Sequence, residues 1–226
     1  MSHKILFEAC VETAEFAVAA EEGGAGRIEL CVDLDIGGLT PPQNMIDETR
    51  KLLNIPVHVL IRPRGGDFFY SEEELELMKR DIDSAGTSGA NGIVVGILTA
   101  HRTVDVDRMR TLVGLARPMS VTFHRAFDEV KDPRGALDDI ISLGIDRLLT
   151  SGLRKAAEEG IPLLKDIVDA AKGRIVVMPG GGINEKNARE IADRTGATEL
   201  HASLRGIDSQ TSTAYSQRVR RFVNLL

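Results

Sequence analysis

The sequence predicts an α/β protein folded as a single-domain (β/α)8 TIM barrel spanning residues 1–226. Three observations carry that expectation. Eight short apolar or β-branched segments alternate with helical ones along the whole chain. The helical stretches open on recognisable start signals. Gly24-Ala25, Gly89-Ala90, Gly144-Ile145 and Gly196-Ala197 each stand just before an even-numbered strand, where a glycine closing the previous helix tolerates the left-handed conformation.

The strands are expected at residues 5–11, 27–32, 57–63, 92–98, 119–125, 147–151, 174–180 and 199–203. Between them, Thr40-Pro41 and Asp132-Pro133 each place a capping side chain before a proline at the first helical position, and Ser71 with Glu74 makes a capping box. Apolar residues then recur at helical spacing, as in Leu75, Met78 and Ile82, or Leu164, Ile167 and Val168. Length and composition agree: 226 residues, 42% hydrophobic and 27% charged, suit one large globular domain.

Composition also narrows the function. A net charge of −6 with interspersed signs argues against nucleic acid or an anionic membrane as the main partner. The basic cluster Arg218-Val-Arg-Arg221 reads as the solvated face of a terminal helix. No apolar run reaches membrane-spanning length and the first residues lack a signal-peptide core, so a cytoplasmic protein is expected. The two cysteines, Cys10 and Cys31, would stay reduced there.

Alternation along the strands sorts the chemistry-bearing residues. The outer face of a barrel must be apolar to meet its helices, so the polar set points inward. This assigns Glu8, Cys10, Glu29, Cys31, Arg62, Arg64, His124, His201 and Ser203 to the interior. The fifth strand runs directly into His124 and Arg125, with Asp128 on the following turn. Strand carboxyl ends face the ligand crevice in such folds, so these are site candidates, although Arg125 and Asp128 are equally well read as a structural pair. Gly180-Gly181-Gly182 after the seventh strand and Ser203 after the eighth form the kind of turns whose backbone N–H groups hold phosphate in barrels. His3, His58 and His101 make no zinc-like spacing.

These residues resemble the CutC family of copper homeostasis proteins over nearly the whole chain. The likeness runs through Glu8-x-Cys10, Arg27-Ile-Glu-Leu-Cys31, Gly37-Gly-Leu-Thr-Pro41, Ile61-Arg-Pro-Arg-Gly-Gly-Asp67, Val121-Thr-Phe-His-Arg-Ala-Phe-Asp128, Leu149-Thr-Ser151-Gly152, Gly180-Gly-Gly-Ile-Asn184 and His201-x-Ser203. The resemblance implies a cytoplasmic TIM barrel, a homo-oligomer (dimer or tetramer), and copper(I) binding through Cys10 and Cys31. Copper(I) prefers soft thiolates, which suits that pair; two cysteines in a barrel wall are also ordinary packing residues.

Two functions therefore stand open. One is copper(I) buffering or delivery by the thiols, without turnover. The other is an isomerase, epimerase or lyase acting on a small phosphorylated or carboxylated metabolite. In that case Arg62 and Arg125 clamp the anion, Glu8 or Glu29 is general base, and His124 or His201 moves the second proton. Arg64, Asp67, Asp128, Ser151 and Ser203 complete the ligand-binding set, and the Gly180–Gly182 turn holds a phosphate. The expected strands contain no lysine, which disfavours Schiff-base chemistry. A closed ion network of Glu8, Glu29, Arg62 and His201 is the purely structural alternative.

Overall fold

Eight parallel strands form the barrel wall: β1 (Leu6–Val11), β2 (Arg27–Leu30), β3 (Val57–Leu60), β4 (Gly92–Val95), β5 (Ser120–Phe123), β6 (Arg147–Thr150), β7 (Val176–Pro179) and β8 (Glu199–Ala202). In this computed structural model, which describes residues 5–226, their order is β7-β6-β5-β4-β3-β2-β1-β8. A parallel bridge between Gly180 and His201 joins the two ends. The helices are α1 (Ala14–Gly23), α2 (Gln43–Leu52), α3 (Glu72–Thr87), α4 (Val106–Ala116), α5 (Pro133–Ser142), α6 (Ile161–Ala171), α7 (Ala188–Thr195) and α8 (Ser212–Val223). One follows each strand, as the alternation predicts. His3 lies outside the described residues.

Most start and stop signals act as expected. Ser71 and Glu74 form a reciprocal capping box on α3, and Asp132 accepts from the N–H groups of Arg134 and Gly135 at α5. Gly24 and Gly196 close α1 and α7 in the left-handed conformation. Thr40 does not cap: α2 begins two residues later behind Pro42, and the Thr40 hydroxyl instead accepts from the Arg62 N–H at 2.9 Å. Consecutive prolines delay the helix, since the residue before a proline is pushed out of the helical region: Pro41 cannot open it, and Pro42 stands extended as its N-cap. Strands three, four and five also stop earlier than expected, because their last residues leave the ladder to shape the barrel mouth.

The two faces of the wall separate as the alternation requires. Ile28, Val59, Ile93, Val121, Leu148 and Leu200 point outward and are fully buried under the helices. Each contributes about 1.5–3 kcal/mol of burial. The inward residues are polar to a degree unusual for a barrel core, which is ordinarily filled with branched aliphatics.

Arg27 is the centre of this polar core. It reaches Glu8 through Nε and Glu199 through Nη2, and Arg147 binds the same Glu199 oxygen at 2.9 Å while donating to Ser120 at 2.8 Å. Arg27 is 3% exposed and Glu8 0%. Charges so deeply buried persist only when paired and hydrogen-bonded. His58 lies beside Glu8, its ring packed over Gly92, where an added Cβ would fall 2.6 Å from the imidazole. His58 faces the interior below the mouth, in keeping with its position early in its strand.

Two predictions follow from this core. Arg27→Met leaves Glu8 and Glu199 buried without their shared cation, and urea unfolding should show a loss of about 3–5 kcal/mol. Burial also holds the His58 imidazole down at about 4 and that of His124 at about 3, against an ordinary 6.5. Both are neutral in the fold, so the unfolded chain takes up protons first as the pH falls. Their contribution is intact above pH 6.5 and is lost progressively towards pH 4 and below. Unfolding free energies measured from pH 7 to 4 should therefore decline, and His58→Gln should flatten the slope in that window.

Candidate functional site

Three neighbouring strands bring one cluster together at the barrel mouth. The register sets Glu8 beside both Arg27 and His201, and Cys10 beside Glu29. Cys31 follows β2, where its N–H donates to the Val11 carbonyl and continues the ladder for one residue. Cys10 Sγ consequently lies 3.6 Å from Cys31 Sγ and 3.6 Å from Glu29 Oε1. Cys10, Glu29 and His201 can each present a ligand atom within 4.8 Å of the others. Both cysteines are free and buried.

The electrostatics of the cluster start from Glu8. Burial opposes its charge, but Arg27 and His201 more than offset that and hold the carboxyl well below its ordinary range. Its Oε1 accepts from His201 Nδ1 at 2.8 Å. That bond places the ring proton on Nδ1 and leaves Nε2 as the nitrogen free to bind a metal. Glu29 has no such anchor. Burial lifts its carboxyl to about 6, only partly countered by His201, and its Oε2 has no hydrogen-bond partner among the described residues. The Cys10 thiol is pushed up by its hydrogen bond to Cys31, by burial and by the Glu29 charge. His201 is raised: burial pulls it down, but Glu29 and Glu8 outweigh that.

The two thiols differ in access. Cys10 lines the mouth cavity, whereas Cys31 sits under the Gly37-Gly38 turn, with a Cβ on Gly38 only 3.5 Å from its sulfur. On their inner side the thiols pack with Leu60 and Val94.

Other expected site residues lie elsewhere or are already engaged. Arg62 points inward but spends its guanidinium on the carbonyls of Ile36, Gly38 and Gly66 and stacks over Phe68, so it cross-links loops instead of presenting a free clamp. Arg64 leaves the interior because its strand has already ended; it binds Glu74, Asp67 and the Phe69 carbonyl at the surface. Neither Arg64 nor Asp67 reaches the cavity.

Arg125 and Asp128 form the pair anticipated as the structural option, at 2.7 Å. Asp128 further accepts from Thr150, from the hydroxyl and N–H of Ser151, and from the Leu153 N–H. Ser151 is thereby fully engaged in positioning Arg125. His124 is buried at the end of β5, its Nδ1 accepting from Ala126 and its ring against Phe68. Ser203 and the Gly181-Gly182 turn line the cavity, and Gly180 occupies the barrel seam against Leu149 and His201.

The closed network anticipated from Glu8, Glu29, Arg62 and His201 has different members. Arg62 is absent from it, and Arg27, Arg147 and Glu199 are its cations and second anion. Strand parity carried the signal for these three. Arg27 shares a face with Glu29 and Cys31, Glu199 with His201, and Arg147 with Ser151. The terminal arginines are also more than a solvated face: Arg218 pairs with Glu185, and Arg218 and Arg221 line the cavity.

Comparison with known proteins agrees with this architecture. The family model described as CutC family matches residues 5–206. The copper homeostasis protein cutC homolog of Mus musculus is 54% identical over 200 residues, covering 88% of this chain and 74% of that protein. The human homolog of the same name is 51% identical, covering 88% and 73%. The crystal structure of CutC from Streptococcus agalactiae superposes with a TM-score of 0.85 at 33% identity, covering 88% of this chain and 98% of that one. Thiamine phosphate pyrophosphorylase from Pyrococcus furiosus shares the barrel alone, at 18% identity and a TM-score of 0.66 over 98% of this chain and 96% of that one. With the family model spanning all eight strands and half of the residues shared with the mammalian relatives, this chain belongs to the CutC family.

Proposed function

We infer that this chain works as one barrel domain that takes part in copper homeostasis by binding copper(I) at Cys10 and Cys31, with His201 as a third ligand. The observation that carries this reading is the 3.6 Å separation of the two sulfurs at the base of an open mouth. One ion with metal–sulfur bonds of about 2.3 Å can touch both. Soft thiolates and an imidazole are a donor set that copper(I) favours, and both cysteines are unpaired.

The surrounding residues have definite tasks in such a site. Cys10 is the thiol open to the cavity, so it makes first contact with incoming copper. Cys31, shielded by the Gly37-Gly38 turn, supplies the second sulfur from below. Glu8 holds the His201 ring so that Nε2 is available, and Arg27 keeps Glu8 ionised for that purpose. Thiolates in a reducing compartment keep copper in the lower oxidation state, which is the physical reason to place the protein in the cytoplasm.

Glu29 separates this reading from a different metal. A carboxylate is a hard ligand, of little value to copper(I) but suited to a borderline divalent ion held by Cys10, Glu29 and His201. Anaerobic titration against a chromogenic copper(I) chelator should show about one copper per chain. Cys10→Ser and Cys31→Ser should each weaken binding by about a hundredfold, whereas Glu29→Gln should leave it nearly unchanged. The reverse order, with Glu29→Gln harmful and Cys31→Ser harmless, would assign the site to a divalent ion. Copper(I) binding that survives both cysteine changes overturns the reading.

A further inference from the structure

The mouth cavity encloses 1490 Å³, far more than a metal ion occupies. Part of its lining consists of hydrogen-bond donors that the copper site does not use. Gly181 and Gly182 stand at φ values of 101° and 70°, a conformation that L side chains rarely adopt. Their carbonyls are turned away: the Ala157 N–H takes that of Gly181, and the Asn184 and Asn187 side chains take that of Gly182. The Gly181 N–H faces the His201 carbonyl across the Gly180–His201 bridge, whereas the N–H groups of Gly182 and Ile183 meet no protein acceptor among the described residues. Such a run of free backbone donors is an anion-binding concavity.

Arg125 completes it. A Cβ on Gly181 would fall 3.2 Å from Arg125 Nη1 and 3.3 Å from Cζ, so the guanidinium lies directly against this backbone. Asp128 holds its Nε and Ser151 its Nη2, which fixes the plane while Nη1 has no acceptor among the described residues. A separate observation points to a ligand in the same cavity. His124 is 5% exposed and lines the cavity; its Nδ1 accepts from Ala126, so the ring proton is on Nε2, which has no partner. A buried donor of this kind is ordinarily satisfied, by water or a ligand where the protein supplies nothing.

We propose that the cavity binds a small organic phosphate monoester. Its phosphate sits on the N–H groups of Gly182 and Ile183 and on Arg125 Nη1, and its polar organic part satisfies His124 Nε2. Two backbone donors and a guanidinium on one turn suit an anion with three terminal oxygens; a carboxylate has only two. None of these groups is a thiol or an imidazole of the copper site, so the proposal stands or falls separately from that reading.

The test is an amide chemical-shift titration of reduced, metal-free, isotopically labelled protein with glycerol 3-phosphate, inorganic phosphate and acetate in turn. The proposal expects the Gly182 and Ile183 resonances to move with both phosphates, the monoester binding at least about tenfold more tightly than inorganic phosphate and acetate more weakly still. Arg125→Gln should weaken the monoester by about tenfold or more, and Cys10→Ser should leave it unchanged. Unmoved Gly182 and Ile183 resonances at millimolar monoester overturn the site. Equal affinity for monoester and inorganic phosphate overturns the organic ligand, and acetate binding as tightly as phosphate overturns the choice of anion. The wild-type titration decides these outcomes even if Arg125→Gln fails to fold.

Discussion

The bridging of Glu8 and Glu199 by Arg27 is the constraint on which the rest of the barrel depends. Two carboxylates inside a parallel barrel would repel each other and lose their hydration; one guanidinium between them, with Arg147 also on Glu199, makes the arrangement tenable. The consequence runs upward through the barrel. Because Arg27 engages Oε2 of Glu8, Oε1 is available to His201, and the ring so held comes within 3.9 Å of Glu29 Oε2. Glu29 in turn meets Cys10 through Oε1, and Cys10 meets Cys31. An unbroken line of contacts thus connects the polar core to the thiols at the mouth.

The same wall would let the two proposed sites stand side by side without sharing a group. On β8, β1 and β2 the donors are sulfur, imidazole and a carboxylate with a raised proton affinity, gathered where an ion can be held. Past β5, β6 and β7 the groups are backbone N–H and a guanidinium that Asp128 and Ser151 hold in place. The seam between Gly180 and His201 brings the two regions next to each other. Arg62 and Phe68 close the far side by tying the loops after β2 and β3 together.

Much of this was legible in the sequence. Strict alternation and the glycines before even strands gave the barrel, and strand parity put Glu8, Cys10, Glu29, Cys31, His124 and His201 inside. The errors have physical causes. Arg64 continues the parity of Arg62, but parity has meaning only while the chain stays tied to its neighbours: past Leu60 the Ile61 N–H still bonds Val94 and the Arg62 carbonyl bonds Thr40, and nothing extends the pattern to Arg64. Arg27 and Glu199 open their strands, and the interior set did not extend to them although they share the parity of Glu29 and His201. Engagement was the least visible property. Whether Arg62 clamps a ligand or three carbonyls depends on where the chain after Gly37 and Gly65 returns, and no local pattern encodes that path.

The central claim is that copper(I) is held by both sulfurs at the mouth. X-ray absorption spectroscopy of the protein loaded anaerobically with one equivalent of copper(I) tests it most directly. The account predicts two sulfur neighbours per copper and one nitrogen, falling to one sulfur in Cys31→Ser. A first shell of nitrogen and oxygen alone, or a spectrum indifferent to Cys31→Ser, would contradict it.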